Sequence, residues 1–300
     1  MTMTATRTDP IVLTGAAAEA RLVEVGAALL ADRLVPFLGP DVLSSDGTAT
    51  TIPATPEAVA AALNAKAPAP SRIRTSMWSV AQFIEQRRHR KTLVGWMSEI
   101  FAASAPPPKL LAHLARLPLA LVVDTWYDGS FRAALTDAGR SDWIEIQGVT
   151  RSGESRDIWF KAYDPAGAEV LPEAAETAKT VLYKPHGGIT PAKNFLVADS
   201  DYVEVLTEID IQSPIPSVVK DLRTTRGFFF LGCRFHDQML RIYAKQITKR
   251  SAGGHVAVAE VARLTKNELR FFADMGATVI DLPLARASEI LIGAGPVPTA

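Results

Sequence analysis

The sequence predicts an α/β fold, a parallel sheet flanked by helices. Three observations carry the prediction. Short, largely apolar runs such as Leu119–Trp126 and Gly227–Phe235 alternate with stretches of helical periodicity, as in strands buried on both faces of a sheet. Several of these runs pass into glycine or polar residues at their C-terminal ends, the edge at which such sheets hold ligands. The chain has 300 residues, 48% of them apolar, enough for a sizeable core in one large domain or two small ones.

The first ten residues look like a loose tail, and the tail is drawn to residue 15. From Ala16 to Leu34 the apolar residues Leu22, Val25, Leu29 and Leu30 recur at helical spacing. Leu34–Gly39 is a short strand ending at a glycine, and Ser45–Pro56, rich in Thr, Ser, Gly and Pro, is a loop. Pro56–Lys66 is a helix with proline at its start. Ser76–Phe101 is a second helical region, with a stripe of Val80, Phe83, Ile84, Leu93, Val94 and Met97. No strand interrupts residues 56–105, so this block is a helical insert beside the sheet. Leu110–Leu117 is a short helix, Leu119–Trp126 a strand, and Ser130–Leu135 a helix. Ser141–Val149 and Ser155–Tyr163 are further strand candidates. Val181–Gly188 is a strand running into a glycine turn, and the segments starting at Ser200 and Pro216 look helical. Gly227–Phe235 is a strand and Asp237–Arg250 an amphipathic helix. His255–Val261, Lys266–Gly276 and Ala277–Pro283 follow as strand, helix and last strand. Residues 16–300 thus form a single domain with its insert.

Lys and Arg number 32, Asp and Glu 32, and the formal net charge is zero. A dedicated nucleic-acid binder usually has a basic balance, so a nucleic-acid partner is not expected. Cys233 is the one cysteine. It excludes an intrachain disulfide and a cysteine-based zinc site, and no metal is expected. The N-terminus lacks the apolar core of a secretory signal, and no apolar run is long enough to span a bilayer. The expectation is a cytoplasmic protein with no membrane partner.

Four strand ends carry the candidate chemistry: Phe37–Gly47 (FLGPDVLSSDG), Val122–Gly129 (VVDTWYDG), Tyr183–Gly188 (YKPHGG) and Phe230–Asp237 (FLGCRFHD). Any one of them is ordinary turn chemistry. In this order and spacing they resemble the sirtuin-like NAD-dependent family, in particular its bacterial branch without the zinc module. DRLVPFLGPDVLS stands where the family has grlvPFlGaGvS, and LVVDTWYDGSFRAAL where it has lvvTTNYDdllE.AL. VLYKPHG stands for vyKlHG, SDYVEVL for the sdY helix start, and FLGCRFHDQML for flGyslsD..l. The insert sequence Met77–Phe101 is also similar to the family's segment between its first two strands. The resemblance implies a Rossmann-like domain that binds NAD. It implies Gly39, Ser44, Thr125, Asp128, Gly232 and Asp237 as cofactor contacts, and His186 as a catalytic base toward a ribose hydroxyl.

The sequence also departs from that pattern. Asp41 replaces the second glycine of the first motif. A carboxylate there blocks backbone approach and repels a pyrophosphate, by on the order of 1–4 kcal/mol at short range. Trp126 replaces the asparagine, and an indole has one donor and no amide acceptor with which to position water. Asp124 replaces a threonine and Arg132 a glutamate. The expectation is a catalytically degenerate protein that binds NAD or ADP-ribose weakly or not at all and acts as a regulatory or interaction protein with a protein partner. The alternative is an NAD glycohydrolase or ADP-ribosyl-transferring enzyme using His186. Protein deacylation is a third reading, disfavoured by the missing zinc cysteines.

Single residues carry competing readings. Asp41 is a ligand-reading carboxylate or, as favoured, a loop aspartate capping a helix. Asp124 and Asp128 form an acid/base pair or magnesium site, or Asp128 caps the helix at Ser130, which leaves Asp124 unexplained. Trp126 stacks on a ligand ring or, as favoured, plugs a disused pocket. Arg87–Lys91 meets a phosphate or, as favoured, is a solvated helix face. Cys233 reads as a small core residue.

Overall fold

The computed structural model describes residues 9–47, 49–150, 158–208 and 214–294. The first eight residues of the tail and the start of the Ser155–Tyr163 run lie outside them.

In chain order the elements are β1 (Ile11–Leu13), α1 (Gly15–Leu30), β2 (Leu34–Leu38), α2 (Pro56–Lys66), α3 (Met77–Ile100), α4 (Lys109–Arg116), β3 (Leu121–Asp124), α5 (Ser130–Asp137), β4 (Trp143–Gly148), β5 (Phe160–Tyr163), β6 (Glu169–Val170), β7 (Thr180–Lys184), β8 (Gly187–Gly188), β9 (Asn194–Phe195), α6 (Asp199–Glu208), α7 (Ser217–Leu222), β10 (Gly227–Leu231), α8 (Gln238–Thr248), β11 (Val256–Val258), α9 (Lys266–Asp274), β12 (Thr278–Ile280) and α10 (Leu284–Gly293). A short 3-10 turn, Pro40–Ser44, follows β2.

Ten strands make one sheet in the order β1-β12-β11-β10-β2-β3-β7-β4-β5-β6. Every pairing from β1 to β4 is parallel, and β5 and β6 add an antiparallel edge. This is the α/β, Rossmann-like architecture that the alternation of apolar runs and helices predicts. Starting from β2, the chain builds outward through β3 and β7 on one side and through β10, β11 and β12 on the other. The order therefore reverses between β2 and β10, and a ligand crevice opens at such a point. Pro36 sits inside β2, a central strand. The ladder to β3 starts only at Phe37, so the missing N–H of Pro36 removes no bond on that side.

Alternation within the strands feeds two cores. Leu34, Leu38, Val122, Leu182, Phe229 and Leu231 face α1, α4, α5 and α10. Val35, Phe37, Val123, Tyr183, Phe228 and Phe230 face α7, α8 and α9. A third core lies in the insert, where Val59, Leu63, Trp78, Ile84, Leu93 and Met97 pack with Trp126, Tyr127, Phe195 and Tyr202. The insert thus closes over the carboxyl edge of the sheet on residues that the sheet itself supplies.

Three elements differ from the sequence reading. Ile11–Leu13, placed in the tail, is an edge strand paired to β12. α10 follows the strand read as the last element, where Pro283 precedes an apolar helix. α3 is broken at His89, whose φ is 66° and ψ 155°. That break turns Arg90 inward, and it is no part of a solvated face. Arg90 bonds Glu85 at 3.0 Å, Asp201 at 2.9 Å and the carbonyl of Phe195. Asp201 also accepts the N–H groups of Val197 and Ala198 and the hydroxyl of Thr150. The aspartate of the SDY segment therefore ties the insert to β9 and the residues that follow it.

Among the described residues, no helix is long and apolar enough to cross a membrane.

Candidate functional site

The turns after β2, β3, β7 and β10 converge on a cavity of about 320 Å³ at the carboxyl edge of the sheet. Gly39, Thr125, Trp126, His186 and Phe235 line it from the sheet side, and Trp78, Tyr202 and Tyr243 from the helices. A second cavity, of about 380 Å³, lies beside it along the ends of β10 and β11 and includes Ser44, Gly232 and Glu260. The two share Asp41, Thr55, Cys233, Arg234 and Arg263. Of the sequence-predicted residues, Gly39, Thr125 and His186 line the first cavity, and Ser44 and Gly232 the second. Asp128 and Asp237 line neither. Each caps a helix instead: Asp128 accepts the N–H of Ser130 at 2.8 Å, and Asp237 that of Met239 at 2.7 Å.

The glycines are explained by the packing of the turns on each other. A Cβ on Gly39 would lie 2.3 Å from the carbonyl oxygen of Gly232. Gly232 itself has φ +62°, and a Cβ there would lie 2.5 Å from the nitrogen of Val42. The close approach is cemented by hydrogen bonds that engage the turn's donors. Pro40 has no N–H. The N–H of Asp41 donates to Gly232 O at 3.1 Å, and that of Val42 to Gly39 O at 3.3 Å. The Asp41 carboxylate, by contrast, accepts no hydrogen bond among the described residues, and it caps no helix through its side chain. Burial raises its pKa, with Arg234 and Arg263 pulling against that shift. Both guanidiniums have other carboxylates. Arg234 bonds the fully buried Glu268 at 2.9 and 3.2 Å, and Arg263 bonds Glu260 at 2.9 Å.

Thr125 donates its hydroxyl to Leu38 O at 2.7 Å, which links the turns after β2 and β3. Trp126 is buried, its Nε1 donates to Pro53 O at 2.7 Å, and it packs against Phe101 and Tyr127 with centroids 5.8 and 5.3 Å apart. The indole is thus both a member of the insert core and a wall of the cavity. Asp124, unexplained in sequence, forms a buried pair with Lys184 at 2.5 Å and accepts the N–H of Trp126 at 3.0 Å. Burial raises its pKa to about 6, against the pull of Lys184. Lys184 also donates to Trp126 O at 2.6 Å, so the pair holds the backbone on both sides of Trp126.

His186 is fully enclosed. Its Nδ1 lies 3.0 Å from the hydroxyl of Tyr202, and its ring packs against Tyr202 and Tyr243. Burial, helped by the charge of Lys184, lowers its pKa to about 3. The imidazole is neutral at pH 7. Nε2 has no protein partner among the described residues, so a neutral ring with one unengaged nitrogen stands in the wall of the cavity. Tyr202, which positions it, was not singled out in the sequence, although it is the tyrosine of the SDY segment. Arg234, Arg263 and Tyr243 were also missed, because only the fold brings them to this edge. Among the described residues no group of three or more His, Cys, Asp or Glu side chains could hold a metal ion.

A family model described as the SIR2-like domain matches residues 120–280. The match runs from β3 through β12, more than half of the chain. No curated protein matches the sequence. With its reversed parallel sheet, its turns meeting at one crevice and this match, the chain belongs to the SIR2-like domain family.

Proposed function

We propose that this SIR2-like domain holds a nucleotide-type ligand in the crevice without cleaving NAD, and serves as a regulatory or interaction module in the cytoplasm. SIR2-like domains generally bind NAD, and that cofactor is the reference for the site. The residues present do not fit its pyrophosphate. The turn after β2 would have to offer free backbone N–H groups to the phosphates, but at its start Pro40 has none and those of Asp41 and Val42 are engaged. Asp41 in the turn is a carboxylate without a hydrogen-bond partner among the described residues. The wall near His186 carries an indole in place of an amide.

The single observation behind the reading is Trp126. Its Nε1 is held on Pro53 O and its backbone on the Asp124–Lys184 pair. No rotation of an exposed side chain clears it from the cavity. The test is to incubate the purified protein with NAD and quantify nicotinamide and ADP-ribose, with calorimetric titration of both nucleotides alongside. Nicotinamide at background level is expected. Release of more than one equivalent ends this reading.

One observation supports the alternative, NAD hydrolysis with His186 as base. The imidazole is neutral, orientated by Tyr202 and among the residues that line the cavity. Its low pKa weakens it, since efficient bases have a pKa near the working pH. If nicotinamide is released, His186→Ala abolishes it on this alternative, and unchanged release excludes His186.

A further inference from the structure

The cavity's polar groups describe a ligand chemistry narrower than "nucleotide". Asp41 stands on the rim between the two cavities with a carboxylate that, among the described residues, no side chain or backbone N–H engages. A half-buried carboxylate in that state has lost water contacts without gaining protein ones, so a ligand that donates to it is favoured. An ammonium donor would meet Arg234 and Arg263, which face the same space. A phosphate would be drawn to Arg234 and Arg263, which Glu268 and Glu260 already pair, but would meet the Asp41 carboxylate and the engaged N–H groups of Asp41 and Val42. A neutral pair of hydroxyls meets neither obstacle, because a carboxylate accepts two O–H donors side by side. Beyond Asp41 the walls are the rings of Trp78, Trp126, Phe235 and Tyr243, which suit a planar base. The cavity, at about 320 Å³, lies at the lower end of the ~300–1,000 Å³ common for ligand sites.

We infer that the aromatic cavity takes a ribonucleoside without a 5′-phosphate, the ribose 2′- and 3′-hydroxyls donating to Asp41 and the base lying among the rings. The inference rests on the proposed reading of the site as one that binds without cleaving NAD. It replaces the dinucleotide with a smaller, uncharged ligand.

The test is calorimetric titration of the full chain with adenosine, guanosine, cytidine and uridine, their 2′-deoxy forms and their 5′-monophosphates. At least one ribonucleoside is expected to bind. Its 2′-deoxy form binds about tenfold to a hundredfold more weakly, the span of one hydrogen bond to a charged group. Its 5′-monophosphate also binds more weakly. Asp41→Asn weakens the ribonucleoside by at least a similar factor and weakens the 2′-deoxy form less, because only its 3′-hydroxyl still donates to the residue. The substitution is isosteric at a side chain that makes no hydrogen bond among the described residues, so an unaltered melting temperature confirms folding. Binding of no ribonucleoside, tighter binding of the monophosphate, or an Asp41→Asn protein with unchanged affinity each overturns the inference. These outcomes are separate from nicotinamide release. A protein that leaves NAD intact and ignores nucleosides loses only this inference, whereas one that cleaves NAD loses the reading beneath it.

Discussion

At the scale of single residues, the site is dominated by ionisable groups kept away from water. His186 is the clearest. In the unfolded chain its pKa is about 6.5, and in the folded protein about 3. As pH falls below about 6.5 the unfolded state takes up the proton and the folded state does not. Stability is therefore full above that pH and declines through the window down to about 3, by up to about 1.4 kcal/mol per pH unit. His113 and His255, also lowered by burial, act in the same sense. Asp124, raised to about 6, acts in the opposite one. These groups remain in His186→Phe, so the difference between the two proteins isolates His186. Urea unfolding at pH 7, 6, 5 and 4 is expected to show a shallower acid decline in the variant, and parallel declines would exclude the assignment. Lys184 gives a second prediction. Lys184→Met strands the buried carboxylate of Asp124, a loss of about 3–5 kcal/mol. Adding Asp124→Leu recovers much of it, and a double variant no more stable than the single one would show that the pair is not the cause.

At the scale of elements, the strand ends were legible in sequence and their neighbours were not. Apolar runs ending in glycine located β2, β3, β7 and β10, because a strand covered on both faces must be apolar and must stop at a turn. The purpose of the glycines was hidden. The resemblance implies Gly39 as a cofactor contact, whereas the space where its Cβ would stand is taken by the backbone of Gly232 and Cys233. That contact joins segments almost two hundred residues apart, and no local pattern encodes it. The same holds for Asp124, whose partner is Lys184 on β7, and for Arg90, whose partner Asp201 lies in the first turn of α6. His186 was legible because its motif is local, and Tyr202 was not singled out because its role depends on α6 packing over the turn after β7. Two alanine substitutions separate glycine as a spacer from glycine as a weak helix former. Gly39→Ala forces its Cβ against backbone atoms that have no rotamer to change, and a cost of about 1–3 kcal/mol is expected. Gly95→Ala, in α3 where a Cβ meets nothing within 4 Å, is expected to stabilise by about 0.5–1 kcal/mol. Equal melting temperatures for the two variants would contradict the packing account.

At the scale of the molecule, the insert determines whether the crevice belongs to one folding unit or to two. Its core is continuous with the sheet through Trp126 and Tyr127, which reach it from the turn after β3, and through Phe195 of β9. Tyr127 donates to Leu196 O at 2.7 Å, and Arg90 reaches across to Asp201 and Phe195. An insert held by buried aromatic rings and a buried ion pair cannot open without exposing the loops that end two central strands. The prediction is a single cooperative unfolding transition for sheet and insert together. The tryptophans allow it to be tested. Trp143 reports the core between the sheet and α5, while Trp78 and Trp126 report the insert core. Replacing Trp143 with Phe leaves fluorescence weighted to the insert, and far-UV circular dichroism follows the whole chain. Coincident urea midpoints are expected from the two probes. An earlier fluorescence transition would make the insert a separate lid, and the walls that Trp78 and Trp126 lend the cavity would then come and go independently of the sheet.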